Sequence, residues 1–133
     1  DDYYLAHCIS ADFAMGKGIV VEFNRRFDMK NKLKAHYPDY LDQWQKDKKS
    51  SGCVLAGRVF NLITKERYFQ KPTYETMRGA LECMKALCAQ KDIRRVAMPV
   101  IGCGLDRLEW EKVSAVIQDV FAGTDVEILV CKQ

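Results

Sequence analysis

The sequence lacks the features that mark several large classes of protein. No apolar run approaches the roughly 18 residues needed to cross a bilayer, so no membrane-spanning segment is predicted. With three Pro and eight Gly in 133 residues, collagen-like and low-complexity chains are excluded. The charge excess is also small, 21 basic against 18 acidic side chains, and does not by itself indicate a nucleic-acid-binding protein.

Patterns typical of metal and disulfide proteins are absent as well. There are two His, and no two of the six Cys stand in CxxC spacing, so neither a structural zinc site nor a disulfide framework is predicted. The opening Asp1 and Asp2 are unlike the basic, then apolar, start of a signal peptide. We therefore expect a reduced intracellular protein, in the nucleus or the cytoplasm, with no membrane partner.

What the chain does contain is the composition of one globular domain over residues 1–133, with 48% apolar and 29% charged residues. β-rich apolar runs predict five strands, two of which form a hairpin or a close strand pair around Gly57 and Arg58. The predicted strands are Tyr3–Ile9, Cys53–Ala56, Val59–Thr64, Arg95–Pro99 and Val126–Cys131.

Helices are predicted between most of these strands. Apolar residues at helical spacing indicate a short helix over residues 19–27, a helix after Pro72 and Thr73, and a helix from Trp110 that Gly123 stops. Pro38 splits the polar stretch 28–52 into two helical pieces. Its expected core contacts are Leu33, Tyr37, Tyr40, Leu41 and Trp44. This alternation predicts a three-layer α/β domain with a mostly parallel sheet.

Two glycine loops follow predicted strands, where ligands bind in such sheets. They are Met15–Ile19, with Gly16, Lys17 and Gly18, and Pro99–Leu105, with Gly102 and Gly104. Backbone N–H groups in loops of this kind can hold phosphate. Neither loop has Walker A or GxGxxG spacing, so tight turns are an alternative.

Three polar residues have simple structural interpretations. Asp106 with Glu109 fits a capping box before the last helix, Lys65 fits a solvated surface lysine, and His7 in an apolar strand fits a hydrogen-bonded core histidine.

Several segments together resemble the macrodomain family, in the branch of the terminal ADP-ribose protein glycohydrolase, also described as an O-acetyl-ADP-ribose deacetylase. They occur in the family's order from about Leu5 to the C-terminus. The segments are Ala6–Ser10, Met15–Ile19, Leu62–Lys65, Lys71–Glu75 and Pro99–Leu108. Leu62–Lys65 and Ile101–Leu108 are the strings specific to that branch.

The resemblance implies an α/β/α macrodomain with a mixed, mostly parallel sheet and an ADP-ribose cleft at its carboxyl edge. Gly16, Lys17, Gly18 and Ile19 would face the distal ribose with Ser10 close by. The pyrophosphate and ribose would be wrapped by Val100, Ile101, Gly102, Cys103, Gly104 and Leu105. Gln133 would contact the ligand near the chain's end. Val100 stands where the branch commonly has a basic residue.

The resemblance also implies an enzyme that acts without a metal or cofactor. A lysine matching Lys65 attacks the distal ribose, and an aspartate matching Asp106 handles protons, which reverses the simple interpretations of both residues. The expected activity is removal of ADP-ribose from glutamate and aspartate side chains, with deacylation of O-acyl-ADP-ribose as a further reaction. ADP-ribosylated proteins are the expected partners of a monomer, and ADP-ribosylated nucleic acids are left open.

Alternatives remain at this point. The same loops could serve a non-catalytic module that binds ADP-ribose, or the domain could be degenerate and bind no nucleotide. The chain begins inside what the family counts as its second strand, so either the sheet lacks the family's first edge strand or the protein is a trimmed form.

Overall fold

A computed structural model describes residues 3–11, 13, 28–46, 52–66, 70–102 and 108–131. The strands are β1 (Tyr4–Ser10), β2 (Cys53–Ala56), β3 (Val59–Lys65), β4 (Arg95–Pro99) and β5 (Glu127–Cys131). The helices are α1 (Met29–His36), α2 (Tyr40–Lys46), α3 (Tyr74–Lys91) and α4 (Trp110–Val120). Each predicted strand is confirmed to within one residue at its ends. The helix predicted over residues 19–27 lies outside the described residues.

The five strands form one sheet in the order β2-β3-β1-β4-β5. β1 pairs in parallel with both β3 and β4, and β4 pairs in parallel with β5. Only the β2–β3 pair of the described strands is antiparallel, because Gly57, at φ 60°, and Arg58 close it as a short hairpin. The mixed, mostly parallel sheet is as predicted.

Helix α3 begins where the sequence predicts. The side chain of Thr73 accepts a hydrogen bond from the Thr76 N–H, and the Thr76 side chain accepts one from the Thr73 N–H, which makes a capping box. Met77, Leu81, Met84 and Cys88 then recur at helical spacing and are buried. At 18 residues α3 is the longest described helix. Among the described residues, no helix is both long and apolar enough to cross a membrane.

One side of the sheet, here called face A, packs against α3 and α4. Its buried sheet residues alternate along their strands, as the period of two for a strand requires. They are Ala6, Cys53, Phe60, Leu62, Val96 and Met98. They meet the apolar stripes of α3 and of α4, where Val113, Ile117 and Val120 are buried.

The other side, here called face B, packs against α1 and α2. Ile9, Val54, Val59 and Ile63 of the sheet meet Met29, Leu33, Tyr40 and Trp44 of the helices. Helices therefore cover both faces, and the predicted three-layer α/β/α architecture is confirmed.

Two details of the stretch before β2 differ from the sequence-based prediction. Tyr37 was expected in the core but is 36% exposed. It is the C-cap residue of α1, at φ −134° and ψ 60°, and its ring meets the Tyr40 ring edge-on from outside. Met29 was not predicted as a core residue, yet it is buried because it opens α1 on the side that faces the sheet.

Candidate active site

The carboxyl ends of four strands lie along one edge of the sheet. Since β1, β3, β4 and β5 run in parallel, they end there together, at Ser10, Lys65, Pro99 and Cys131. Val100, Ile101 and Gly102 directly follow β4. The predicted site residues that the structure describes are thus brought to the edge where ligands bind in open α/β sheets.

A crevice is expected at this edge beside β1. The next described helix after β1 is α1, on face B, whereas β3 and β4 are followed by α3 and α4, on face A. Chains that leave neighbouring strands toward opposite faces leave an opening between them. The β1–β4 ladder is also short, pairing Tyr4 with Val96 and Leu5 with Ala97, so β1 extends past the end of β4.

Lys65 stands directly after an irregularity in the β1–β3 ladder. Ile9 pairs with Ile63, but the next residue of β1, Ser10, pairs with Lys65. Thr64 is the extra residue of a bulge, a feature that redirects the side chains that follow it and is frequent beside active sites. The pairing resumes at once, because the Ala11 N–H donates to the Lys65 carbonyl oxygen at 2.9 Å. Lys65 is half-buried and Ser10 is buried.

Gly102 follows β4 in a conformation that favours glycine. Its φ is +75°, and an added Cβ would lie 2.8 Å from Cε of Met77 and 3.1 Å from Cδ1 of Leu108. The Leu108 N–H donates to the Gly102 carbonyl oxygen at 2.7 Å. The chain therefore leaves the edge at Gly102 and returns beside it at Leu108, which defines the two ends of a loop.

The return of the chain at Leu108 contradicts the capping interpretation of Asp106. Helix α4 begins at Trp110 with Glu109 as its N-cap, and the Glu109 side chain makes no capping hydrogen bond. The Glu109 N–H donates instead to the Tyr74 hydroxyl at 3.0 Å. The N-cap of α4 is therefore Glu109, which the capping box had placed at the N3 position, and Asp106 itself lies outside the described residues.

His7 is a core histidine, as predicted. It is fully buried, its Nε2 lies 2.6 Å from Oδ1 of Asn61, and burial lowers the pKa of its imidazole to about 4. Sequence reasoning missed Asn61, whose amide also donates to the carbonyl oxygens of Val54 and Val59. Its signal was a lone amide within an otherwise apolar strand.

Comparison with known proteins assigns the family. The family model described as "Macro domain" matches residues 10–117, which is most of the chain. The chain belongs to the macrodomain family. It is 45% identical over 127 residues to proteins named "ADP-ribose glycohydrolase OARD1" from Bos taurus and from Homo sapiens, and the match covers 95% of this macrodomain and 79% of each relative.

Solved structures agree on the fold. The macrodomain of Mycobacterium tuberculosis DarG superposes with a TM-score of 0.81 at 20% identity, over 98% of this chain and 89% of that one. Thermosipho africanus DarTG, solved in complex with ADP-ribose, superposes with a TM-score of 0.73 at 17% identity, over 97% of this chain and 37% of that one. At these identities the likeness concerns the fold alone.

The remaining predicted site residues of this macrodomain lie outside the described residues and stay predictions. They are Gly16, Lys17, Gly18, Ile19, Cys103, Gly104, Leu105, Asp106 and Gln133. Within the described part, no three His, Cys, Asp or Glu side chains converge as metal ligands. The five described cysteines are free thiols, and burial raises the thiol pKa of Cys53, Cys83 and Cys88.

Proposed function

We propose that this macrodomain is an ADP-ribose glycohydrolase that releases ADP-ribose from glutamate and aspartate side chains through a covalent intermediate on Lys65. The observation that carries the proposal is the position of Lys65, half-buried at the carboxyl edge and paired with Ser10 in the ladder. The printed name of the relatives at 45% identity supports the same class of reaction. Deacylation of O-acyl-ADP-ribose is a further reaction open to the same site.

Binding of the diphosphate falls to the stretch after β4. Backbone N–H groups of residues 100–105 supply donors without adding a charged side chain. Gly102 supports this role, since its positive φ turns the chain sharply and its missing Cβ leaves room for Met77 and Leu108. In the proposal, residues 16–19 and Ser10 hold the distal ribose, and Gln133 contacts the ligand near the end of the chain.

The chemistry requires a neutral lysine. Only the unprotonated amine attacks carbon, and an ordinary lysine, with a pKa of about 10.4, is neutral in about 0.04% of molecules at pH 7. Shielding from water favours the neutral form. Lys65 is half-buried at the carboxyl edge, where a bound ligand would cover more of its side chain.

The proposed reaction has two steps. The Lys65 amine forms a bond to the anomeric carbon of the distal ribose while the bond from that carbon to the carboxyl oxygen breaks, and Asp106 passes the proton lost by the amine to the departing carboxylate. Asp106 then takes a proton from water as the water oxygen attacks the same carbon; the bond to the Lys65 nitrogen breaks, and the proton passes to the departing amine as ADP-ribose is released. No redox partner enters either step.

Release of ADP-ribose from a protein modified on glutamate tests the proposal. We expect Lys65→Ala and Asp106→Ala to lose about 100-fold or more in rate, as is usual when a nucleophile or its proton-transfer partner is removed. Lys85→Ala, which removes an exposed lysine of α3, is the matched control and should keep wild-type activity. Equal release by wild type, Lys65→Ala and Asp106→Ala would contradict the mechanism.

Two further measurements separate the proposal from its alternatives. Intact mass spectrometry of Asp106→Ala after incubation with substrate should show a species heavier by one ADP-ribose, which Lys65→Ala in the same chain abolishes. Calorimetry with ADP-ribose distinguishes an enzyme from a binding module, because tight binding without release of ADP-ribose would favour the non-catalytic module. The monomeric state and the nuclear or cytoplasmic location stay predictions.

A further inference from the structure

The first turn of α3 contacts both strand ends that flank the crevice. Thr76 reaches the end of β3, whereas Tyr74 and Met77 reach the chain on either side of the loop after β4. The described contacts of this turn thus join the segment that carries Lys65 to the segment that carries Gly102.

The Thr76 hydroxyl has one proton and can therefore donate one hydrogen bond. It accepts from the Thr73 N–H at 3.0 Å and lies 2.6 Å from the Thr64 carbonyl oxygen, closer than the 3.0 Å to the Thr73 carbonyl oxygen. A hydroxyl donates one hydrogen, and the carbonyl oxygen at the shorter distance is the one that accepts it. Thr76 therefore donates to Thr64 while it completes the capping box.

The acceptor of that bond is the bulge residue. Thr64 is skipped in the β1 register, between the pairs Ile9–Ile63 and Ser10–Lys65. The Thr76 bond fixes the Thr64 carbonyl oxygen from the helix layer. Because the peptide between Thr64 and Lys65 sets the direction in which the Lys65 side chain leaves the strand, this bond acts on the lysine without touching it.

The second strand end is held by the same helical turn. The Tyr74 hydroxyl accepts the Glu109 N–H at 3.0 Å, and Met77 fills the space that a Gly102 side chain would occupy. A displacement of the turn would thus move the end of β3 and the chain beside Gly102 relative to each other. Misplacement by about 1 Å can lower a rate about 100-fold.

We infer that Thr76 is a positioning residue for Lys65, acting through the Thr64 bulge, and that Tyr74 does the same for the segment around Gly102. This inference rests on the proposed function, since it assigns the two residues to the geometry of that reaction. Neither residue is proposed to touch the substrate.

Four variants test the inference in the full chain. Thr76→Val removes the hydroxyl and keeps the shape of the side chain, and Thr76→Ser restores the hydroxyl. Thr73→Ala removes the other half of the capping box and leaves the Thr76 bond to Thr64 in place, so it is the matched control for loss of helix capping. Tyr74→Phe removes only the hydroxyl that accepts from Glu109, and it keeps the test available if Thr76→Val does not fold.

We expect Thr76→Val to lower kcat for ADP-ribose release by about tenfold, with KM within about twofold of wild type. Thr76→Ser should recover most of that loss. Thr73→Ala should lower Tm by about as much as Thr76→Val and keep kcat within about twofold of wild type. Tyr74→Phe acts on the segment that binds the diphosphate and should raise KM by about threefold, with kcat within about twofold of wild type.

The outcomes separate this inference from the proposed function. If Lys65→Ala abolishes release while Thr76→Val keeps wild-type kcat and Tyr74→Phe keeps wild-type KM, the positioning role is overturned and the enzyme assignment stands. Equal losses of kcat in Thr73→Ala and Thr76→Val would also overturn the positioning role, because the loss of helix capping alone would then explain the lower rate. Absence of release by the wild type would overturn both.

Discussion

The two faces of the sheet are built from different kinds of contact. The buried face A cluster consists of apolar side chains and the thiols of Cys53 and Cys88. Face B contains the buried pair of His7 and Asn61, and the Asn61 amide lies 3.6 Å from Sδ of Met29 in α1. Face B also holds the buried Tyr40 hydroxyl, which has no hydrogen-bond partner among the described residues. At acidic and neutral pH face A therefore contributes stability that does not depend on protonation, whereas face B carries polar groups whose cost depends on protonation and pairing.

Face B also has a cleft at one end. A cleft of about 440 Å³ opens there between the segment after β1 and the helix pair, with the stacked rings of Phe13 and Tyr40 in its wall at 5.3 Å between centroids. The residues that line it are Ala11, Phe13, Lys34, Tyr37, Pro38, Tyr40 and Leu41. The contrast with face A gives four predictions.

The largest loss in the free energy of unfolding is expected when a substitution creates a cavity in face A. Phe60 is fully buried between the sheet and α3, so Phe60→Ala should lower the free energy of unfolding by about 4 kcal/mol. Leu129→Ala is the control, since Leu129 is 46% exposed on β5 and should cost less than about 0.5 kcal/mol. Urea denaturation measures both values, and similar losses for the two variants would contradict the assignment of the core to face A.

The next largest effect is the pH dependence that His7 gives to the free energy of unfolding. The folded-state pKa is about 4, below the ordinary 6.5, so the unfolded chain binds the extra proton between these values. Stability from this group is complete above about pH 6.5 and is lost as the pH falls toward 4, by about 3 kcal/mol in total at about 1.4 kcal/mol per pH unit.

Denaturation at a series of pH values tests this titration. His7→Gln should flatten the stability curve between about pH 6.5 and 4, whatever its effect on stability at pH 7. His36→Gln, in the exposed last turn of α1, should leave the slope as in the wild type. A wild-type slope in His7→Gln would assign the titration to another group.

An intermediate effect is expected at the border of face A. Gly102 and Gly123 have nearly the same φ, 75° and 76°, but an added Cβ contacts Met77 and Leu108 only at Gly102. Gly123→Ala should cost about 1 kcal/mol from backbone strain alone, and Gly102→Ala about 2 to 3 kcal/mol, with an added loss of ADP-ribose release. Equal costs in thermal and urea unfolding would show that the packing around Gly102 adds nothing.

The smallest change in the free energy of unfolding is expected from substitution of Tyr40, and it is a gain in stability where the other variants lose it. Burial raises the pKa of the Tyr40 phenol, and its hydroxyl lacks a partner in the described part of the chain. Tyr40→Phe should therefore leave the protein unchanged or stabilise it by up to about 1 kcal/mol. A loss of more than about 1 kcal/mol would mean that the hydroxyl has a partner in solution.

Much of the fold could be predicted from local pattern, because local pattern sets it. The start of α3 at Thr73, the strand Arg95–Pro99 and the turn at Gly57 each depend on residues within a few positions. The order β2-β3-β1-β4-β5 does not, since parallel pairing joins residues far apart in sequence. No strand order was therefore predicted from the sequence.

In the candidate active site, too, some features follow from local sequence and others depend on contacts between distant residues. The edge that gathers Ser10, Lys65 and Gly102 follows from strand direction and could be predicted. The bulge at Thr64 and its bond to Thr76 could not, because a bulge is a mismatch between two distant strands and leaves no mark in either one. Asp106 with Glu109 fitted a capping box by spacing alone, but α4 begins at Trp110 with Glu109 as its N-cap, after Leu108 has bonded to the Gly102 carbonyl oxygen.

The turn at Gly57 and Arg58 has a consequence for the folding pathway. It is the only connection in the described chain that joins two paired strands through two residues. The strands of each parallel pair are separated by a much longer crossover segment. Short loops close within nanoseconds to microseconds and lose little chain entropy. The β2–β3 hairpin is therefore expected in the transition-state nucleus, with φ-values in Val54 and Leu62 higher than those in β5.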